Sequence, residues 1–443
     1  MSSWKWGVSR KLSIGFMIII LLGGVLLSLP ISSRNGLGTP LLNAIFTSTS
    51  ATCVTGLVVY DTWTQFSLFG QAVILILIQC GGLGLMTIAI IFSFVSGRRI
   101  GLRQRAFLTE TINSGQLAGV VRMVRRALIG TVIFEGTGTL LLAFRFVPQY
   151  GASRGIWYAL FHSVSAFCNA GFDILGGQGS NASLAPYAGD PLVILTISLL
   201  ILIGGIGFLV WDDLLEHKFR FKKLKLHSRI VIFTTLFLTA VSVALFFILE
   251  HRTLFHNVSF GRQFLDSFFL SVTPRTAGFS ICDNQTLTEG AKLLTMILMF
   301  VGASPGGTGG GVKTSTVAVA LSSVWAQFHN KPDVNIAKYR IEENIQRQAF
   351  SSIFIYSLLT SIGIFILCGQ KIDVTRSTFE CLSAIGTVGL STGITPQLSS
   401  LSKIVIILLM FLGRVGSLTV FIAVSRKSYG SGLRQPVGKV IVG

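Results

Sequence analysis

The sequence predicts an all-α, polytopic membrane fold of four fused helix–loop–helix repeats. Three observations carry this: an apolar, charge-poor composition, long apolar runs at regular intervals, and one short motif that recurs four times. The 443 residues are 51% hydrophobic and 12% charged, with a mean hydropathy of +0.71. So few charges could not cover a water-soluble chain of this length. Apolar runs able to span about 30 Å of hydrocarbon lie near residues 12–30, 69–95, 127–147, 191–210, 230–249, 292–324, 350–368 and 402–424.

The motif is Phe, nine residues, Gly, then Leu or Phe. It reads FTSTSATCVTGL at Phe46–Leu57, FHSVSAFCNAGF at Phe161–Phe172, FFLSVTPRTAGF at Phe268–Phe279 and FECLSAIGTVGL at Phe379–Leu390. The glycines Gly56, Gly171, Gly278 and Gly389 are spaced by 115, 107 and 111 residues. One match means nothing in a chain rich in Phe and Gly, but four at near-equal spacing between the same flanking runs define a repeat. The repeats divide the chain at 1–100, 101–228, 229–330 and 331–425, followed by a tail at 426–443.

The net charge of +19 raises a nucleic-acid reading. The spans offer a better one. With eight spans, one side collects 24 Lys and Arg against 7 Asp and Glu, and the other 10 against 9. The basic side is therefore expected to be cytoplasmic, with both termini on it and all four motifs outside. No cleavable signal is evident. The six cysteines have no CxxC spacing and are read as small hydrophobes.

Each repeat thus reads as a span, a short external re-entrant segment and a second span. Non-helical backbone at membrane depth is tolerated where it is buried in protein or lines a watery cavity. Four such segments converging on one axis would make one pseudo-fourfold ion pore. A half-helix entering from outside points its negative end inward, which favours a cation. The small residues that follow let backbone carbonyls replace an ion's hydration shell.

The pattern resembles the Trk/Ktr/HKT superfamily of potassium transporters over the whole chain, and within it the membrane subunits of Ktr systems. The resemblance implies a potassium selectivity filter in four parts. The first is Thr52, Cys53, Val54, Thr55 and Gly56, and the second Phe167, Cys168, Asn169, Ala170 and Gly171. The third is Pro274, Arg275, Thr276, Ala277 and Gly278, and the fourth Ile385, Gly386, Thr387, Val388 and Gly389. None reads TVGYG, so channel-grade selectivity is not implied, whereas glycine in all four repeats implies a preference for potassium over sodium. The resemblance further implies potassium as permeant ion, sodium as activator, a homodimer, and a cytosolic regulatory ring that binds ATP or ADP on its own subunits. The basic segments 97–126, 211–229 and 326–348 are the expected docking surfaces, alongside contact with lipid headgroups. The apolar tail is expected in the dimer interface.

Arg275 is a cation inside a cation filter. It is expected to point behind the loop to a carboxylate, with Asp266, Asp283 or Glu380 as candidates. The sixth apolar run is 35 residues long where about 20 suffice, and its middle reads VGASPGGTGGGVKTST. Glycine and proline cost about 1 and 3 kcal/mol each in a helix interior, so two half-helices joined by an intramembrane loop are expected. A Walker A loop is excluded because Val312 separates Gly311 from Lys313. The gate is assigned to Gly302, Ala303, Ser304, Pro305, Gly306, Gly307, Thr308, Gly309, Gly310 and Gly311. Arg414 joins it, about a dozen residues and roughly 18 Å into the last span. A charge there is costly and marks a cavity or a partner. It is read as an electrostatic barrier bonded to the loop, a structural cap on carbonyls being the rival role. Glu135, an intramembrane carboxylate, suggests a sodium or proton role or a structural hydrogen bond. His162 is read as a packed histidine, and Gly81–Gly84 and Gly204–Gly207 as close-packing or hinge positions.

An alternating-access, sodium-coupled transporter is the alternative, but its repeats are commonly inverted and these run in parallel. An enzyme is not expected: HExxH and paired carboxylates at useful spacing are absent from the sequence.

Overall fold

The computed structural model describes residues 8–84, 120–176 and 183–416. It is a helical protein in which each repeat opens with one long apolar helix: α1 (Val8–Ser28), α5 (Val120–Tyr150), α9 (Leu226–Glu250) and α13 (Glu343–Cys368). These four are long and apolar enough to cross a membrane. Their outward faces carry Leu22, Phe144, Phe237 and Phe365, all exposed, as a lipid-facing surface requires.

A short helix follows each one: α2 (Leu41–Thr52), α6 (Ala152–Phe167), α10 (Phe260–Val272) and α14 (Val374–Gly386). Each ends at the motif. Phe46, Phe161 and Phe379 are fully buried, one turn before a serine on the same helix face. In the third repeat the buried ring is Phe269, while Phe268 is only half-buried. The expected Phe-x9-Gly alignment is therefore off by one there. The helix register is one residue shorter before the glycine, and burial follows the register rather than the letters.

The second helices are α4 (Leu68–Leu83), α7 (Pro191–Ile206), α11 (Glu289–Phe300) and α15 (Ser400–Val415). Only the third was expected to break. Among the described residues all four stop short. α4, α7 and α15 end at Gly84, Gly207 and Gly416, with φ of +80°, +101° and +90°, a conformation that glycine adopts without a Cβ clash. After Gly207 the chain turns by 88° into α8 (Phe208–Glu216). α11 ends at Phe300, and the chain resumes as α12 (Thr314–Phe328) after the 301–313 segment. The continuations expected over 85–95 and 417–424 lie outside the described residues, as do the tail and most of the basic segment 97–126.

The packing closes on itself. Each second helix lies against the short helix of the next repeat: α4 on α6, α7 on α10, α11 on α14, and α15 back on α2. The remaining elements are one turn of helix, α3 (Thr62–Gln65), and a hairpin of β1 (Asn335–Ile336) and β2 (Tyr339–Arg340) between α12 and α13.

Candidate functional site: a ring of four glycines and the loop beneath it

The four motif glycines meet at the centre of this circuit. A Cβ on Gly56 would lie 2.6 Å from the Ala170 carbonyl oxygen, one on Gly171 2.6 Å from Ala277 O, one on Gly278 2.3 Å from Val388 O, and one on Gly389 2.1 Å from Thr55 O. Each glycine thus packs against the residue before the glycine of the next repeat, and the fourth closes on the first. All four have positive φ, from +67° to +96°. Only glycine meets both demands.

Two residues earlier, a second positive φ recurs at Val54 (57°), Asn169 (58°), Thr276 (74°) and Thr387 (52°). For Asn this is common, but for the β-branched Val and Thr it is a strained state that persists only where the surroundings enforce it. Buried hydroxyls at the C-terminal end of each short helix supply the enforcement. Ser50 Oγ accepts the Gly56 amide at 3.0 Å and Ser383 Oγ accepts the Gly389 amide at 3.0 Å. Ser165 Oγ donates to Phe172 O at 2.8 Å and Thr273 Oγ1 to Phe279 O at 2.5 Å. The residue-level reading missed these four hydroxyls. Their signal was present, as a serine four residues after the buried Phe in the first, second and fourth repeats and a threonine in the third.

Three second-helix glycines take the next layer of carbonyls. A Cβ on Gly81, Gly204 or Gly413 would fall within 2.1 Å of Thr52 O, Phe167 O or Ile385 O. Gly81 and Gly204 are therefore close-packing positions, while Gly84 ends α4 and Gly207 is the bend between α7 and α8.

The Gly302–Gly311 loop lies against the underside of the segments. Thr308 Oγ1 donates to Phe167 O at 3.2 Å, and the Gly310 amide donates to Thr387 Oγ1 at 2.9 Å. Thr276 Oγ1 lies 2.1 Å from where a Gly309 Cβ would stand, and it donates to Asn169 Oδ1 at 3.0 Å. The Ser304 and Thr308 amides bond to Gly205 O and Gly204 O, and Gly306 O accepts the Phe208 amide across the bend in α7–α8. Ala303, Pro305 and Gly307 complete the turn.

Arg414 bonds to Thr308 O and to Gly81 O, and to Gly82 O at 3.2 Å. It ties the loop to the last turn of α4 and caps carbonyls of both. The contacts on α4 were not foreseen. Lys313 was considered only as a Walker A residue, yet its Nζ donates to Gly309 O at 2.8 Å and Gly310 O at 3.4 Å. Two basic side chains therefore sit on the loop.

Arg275 does turn away from the ring, but among the described residues no carboxylate receives it. It donates to Thr235 O, Thr235 Oγ1 and Thr239 Oγ1 at 3.2–3.3 Å. The three expected acids are engaged elsewhere: Asp266 with Arg262 and the Gly189 amide, Asp283 with the Gln285 amide, and Glu380 with Ser391 and Thr395. α9 passes directly behind α10, so its hydroxyls are the partners within reach. Glu135 is nearly buried, accepting from Gln79 Nε2 at 3.1 Å and approached by Cys168 Sγ at 3.8 Å. His162 is packed among Phe146, Phe161 and Phe279, its Nδ1 2.7 Å from Tyr158 O, as read.

Beyond the ring, on the face away from the loop, Asp173 follows the second glycine outside the spanning helices. Burial, with Asp61 close by, raises its carboxyl to about 7.

A family profile described as TrkH, cation transport protein, matches residues 2–430. The chain belongs to that family. Ktr system potassium uptake protein B of Bacillus subtilis is 40% identical over 98% of this chain and 96% of its own length. Potassium/sodium uptake protein NtpJ of Enterococcus hirae is 38% identical over 93% and 91%. The crystal structure of the potassium transporter TrkH from Vibrio parahaemolyticus superposes with a TM-score of 0.70, covering 93% of this chain and 85% of that one at 19% identity. That likeness speaks for the fold.

Proposed function

We propose that this chain is the ion-translocating membrane subunit of a potassium uptake system. The observation that carries the reading is the closed ring in which every motif glycine packs on the carbonyl of the next repeat. Four short helices bring their C-terminal ends to this ring, where aligned peptide dipoles favour a cation. The five residues leading to each glycine act as one quarter of a selectivity filter, their carbonyls standing in for water around potassium. The strained Val54, Thr276 and Thr387 backbones hold those carbonyls ready, so little reorganisation is needed when the ion loses its hydration shell.

In this reading the Gly302–Gly311 loop closes the path below the filter. Arg414 and Lys313 place two positive charges there and repel the permeant ion. Opening requires the loop to release Phe167 O and Thr387 Oγ1 and Arg414 to release Thr308 O. The basic face is cytoplasmic, with both termini on it. The Ktr names of the relatives support a partner subunit, which we take to be a cytosolic ATP- or ADP-binding ring on a homodimer of this chain. The name of the Enterococcus hirae relative joins potassium and sodium, and sodium is proposed as activator.

Complementation tests the reading. A potassium-uptake-deficient cell expressing the chain with its ring partner grows at low potassium and takes up rubidium. No growth, with the protein present at the membrane, would overturn it.

A further inference from the structure

Away from the glycine ring, three ligand-type side chains meet at the end of α8. Asp213, Glu216 and His217 stand at positions i, i+3 and i+4, so one helix face carries all three. One oxygen or nitrogen of each lies within 4.8 Å of the other two. Asp213 is only 2% exposed. Its Oδ2 accepts the Lys225 amide at 3.0 Å, while its Oδ1 receives no hydrogen bond and faces His217 Nδ1 at 3.0 Å. That nitrogen is also 3.1 Å from the Asp213 carbonyl oxygen, so a hydrogen on Nδ1 serves the backbone and leaves Oδ1 open. A buried carboxylate oxygen that receives no hydrogen bond is costly, and His217 offsets that cost only when protonated. A cation beside it removes the cost.

We propose that Asp213, Glu216 and His217 form a binding site for a divalent transition-metal ion of the zinc class. One imidazole nitrogen with two carboxylates suits zinc or cobalt, whereas magnesium and calcium take oxygen sets. On binding, His217 carries its hydrogen on Nε2 and offers the Nδ1 lone pair. Glu216 swings from Lys225 Nζ, 3.7 Å away in an exposed contact that is worth little. The negative end of α8 adds to the attraction. Through the Lys225 amide the bound ion braces α8 against the start of α9. The other end of α8 holds Gly306 of the loop.

The test is metal binding itself, independent of transport. The full chain, purified in detergent without a histidine tag and stripped with chelator, is titrated with cobalt(II) and followed by its visible absorption. One cobalt per chain, displaced by zinc, is expected. Glu216→Gln and His217→Ala should each weaken binding by at least about tenfold and leave the metal-free thermal midpoint unchanged. Absence of cobalt bands in the parent chain would overturn the site. So would bands of undiminished strength in His217→Ala, which would mean adventitious coordination elsewhere.

Discussion

Gly278 shows what one hydrogen atom decides in this protein. Replacing it with alanine would set a Cβ 2.3 Å from Val388 O at a φ of +81°. No side-chain shift relieves a clash with backbone, so the ring must open. Gly278→Ala is expected to abolish saturable rubidium uptake while the protein still reaches the membrane; uptake within twofold of the parent chain would contradict the filter assignment. Arg414 makes the opposite prediction. Arg414→Ala removes three bonds to carbonyls and one charge below the ring, and flux should rise severalfold in the same assay. Arg275 serves the scaffold. Arg275→Gln should cost about 1.5–3 kcal/mol of stability, the range for hydrogen bonds from a charged group, read as a lower thermal midpoint without a change in potassium over sodium preference.

At the scale of elements, the second helices and the loop between α11 and α12 act together. Gly207 ends α7 and faces Pro305 O, 2.7 Å from where its Cβ would be. The bend and the loop are therefore built against each other. Gly207→Ala should distort this contact and change the potassium dependence of flux while sparing ion preference, because the ring lies above it. A shift in selectivity with unchanged gating would assign the bend to the filter instead. The ends of α4, α7 and α15 at glycine were only half visible in the sequence. Glycine clusters stood at two of them, but an apolar run interrupted by glycine reads equally well as a tightly packed span. The backbone φ separates the two.

The whole molecule adds a field around the mouth. Asp173, raised to about 7 by burial and by Asp61, carries its charge above that pH and loses it below. A unit charge a few ångströms from the path is worth about 0.5–1 kcal/mol in water. Half-saturating external potassium should therefore rise by a factor of a few between pH 8 and pH 6, and Asp173→Asn should hold it at the higher value throughout. An unchanged pH profile in that variant would clear Asp173 of the role. The same shift has a sign for folding. Because the folded carboxyl holds its proton more tightly than the unfolded one, its contribution is full in acid and is lost as pH rises through 7.

The sequence by itself determined the membrane class, the four motifs, their glycines and the split of the third inner helix. These follow from hydropathy, local propensity and spacing, which are properties of short stretches. Tertiary structure alone decided which carbonyl each glycine faces, and that the third motif is one residue shorter in register. It also decided that threonines of α9 receive Arg275, and that Arg414 reaches α4 as well as the loop. Those contacts join residues from 36 to 334 positions apart. A partner is chosen by which buried polar group must be satisfied where the helices cross, and no single stretch of sequence carries that geometry.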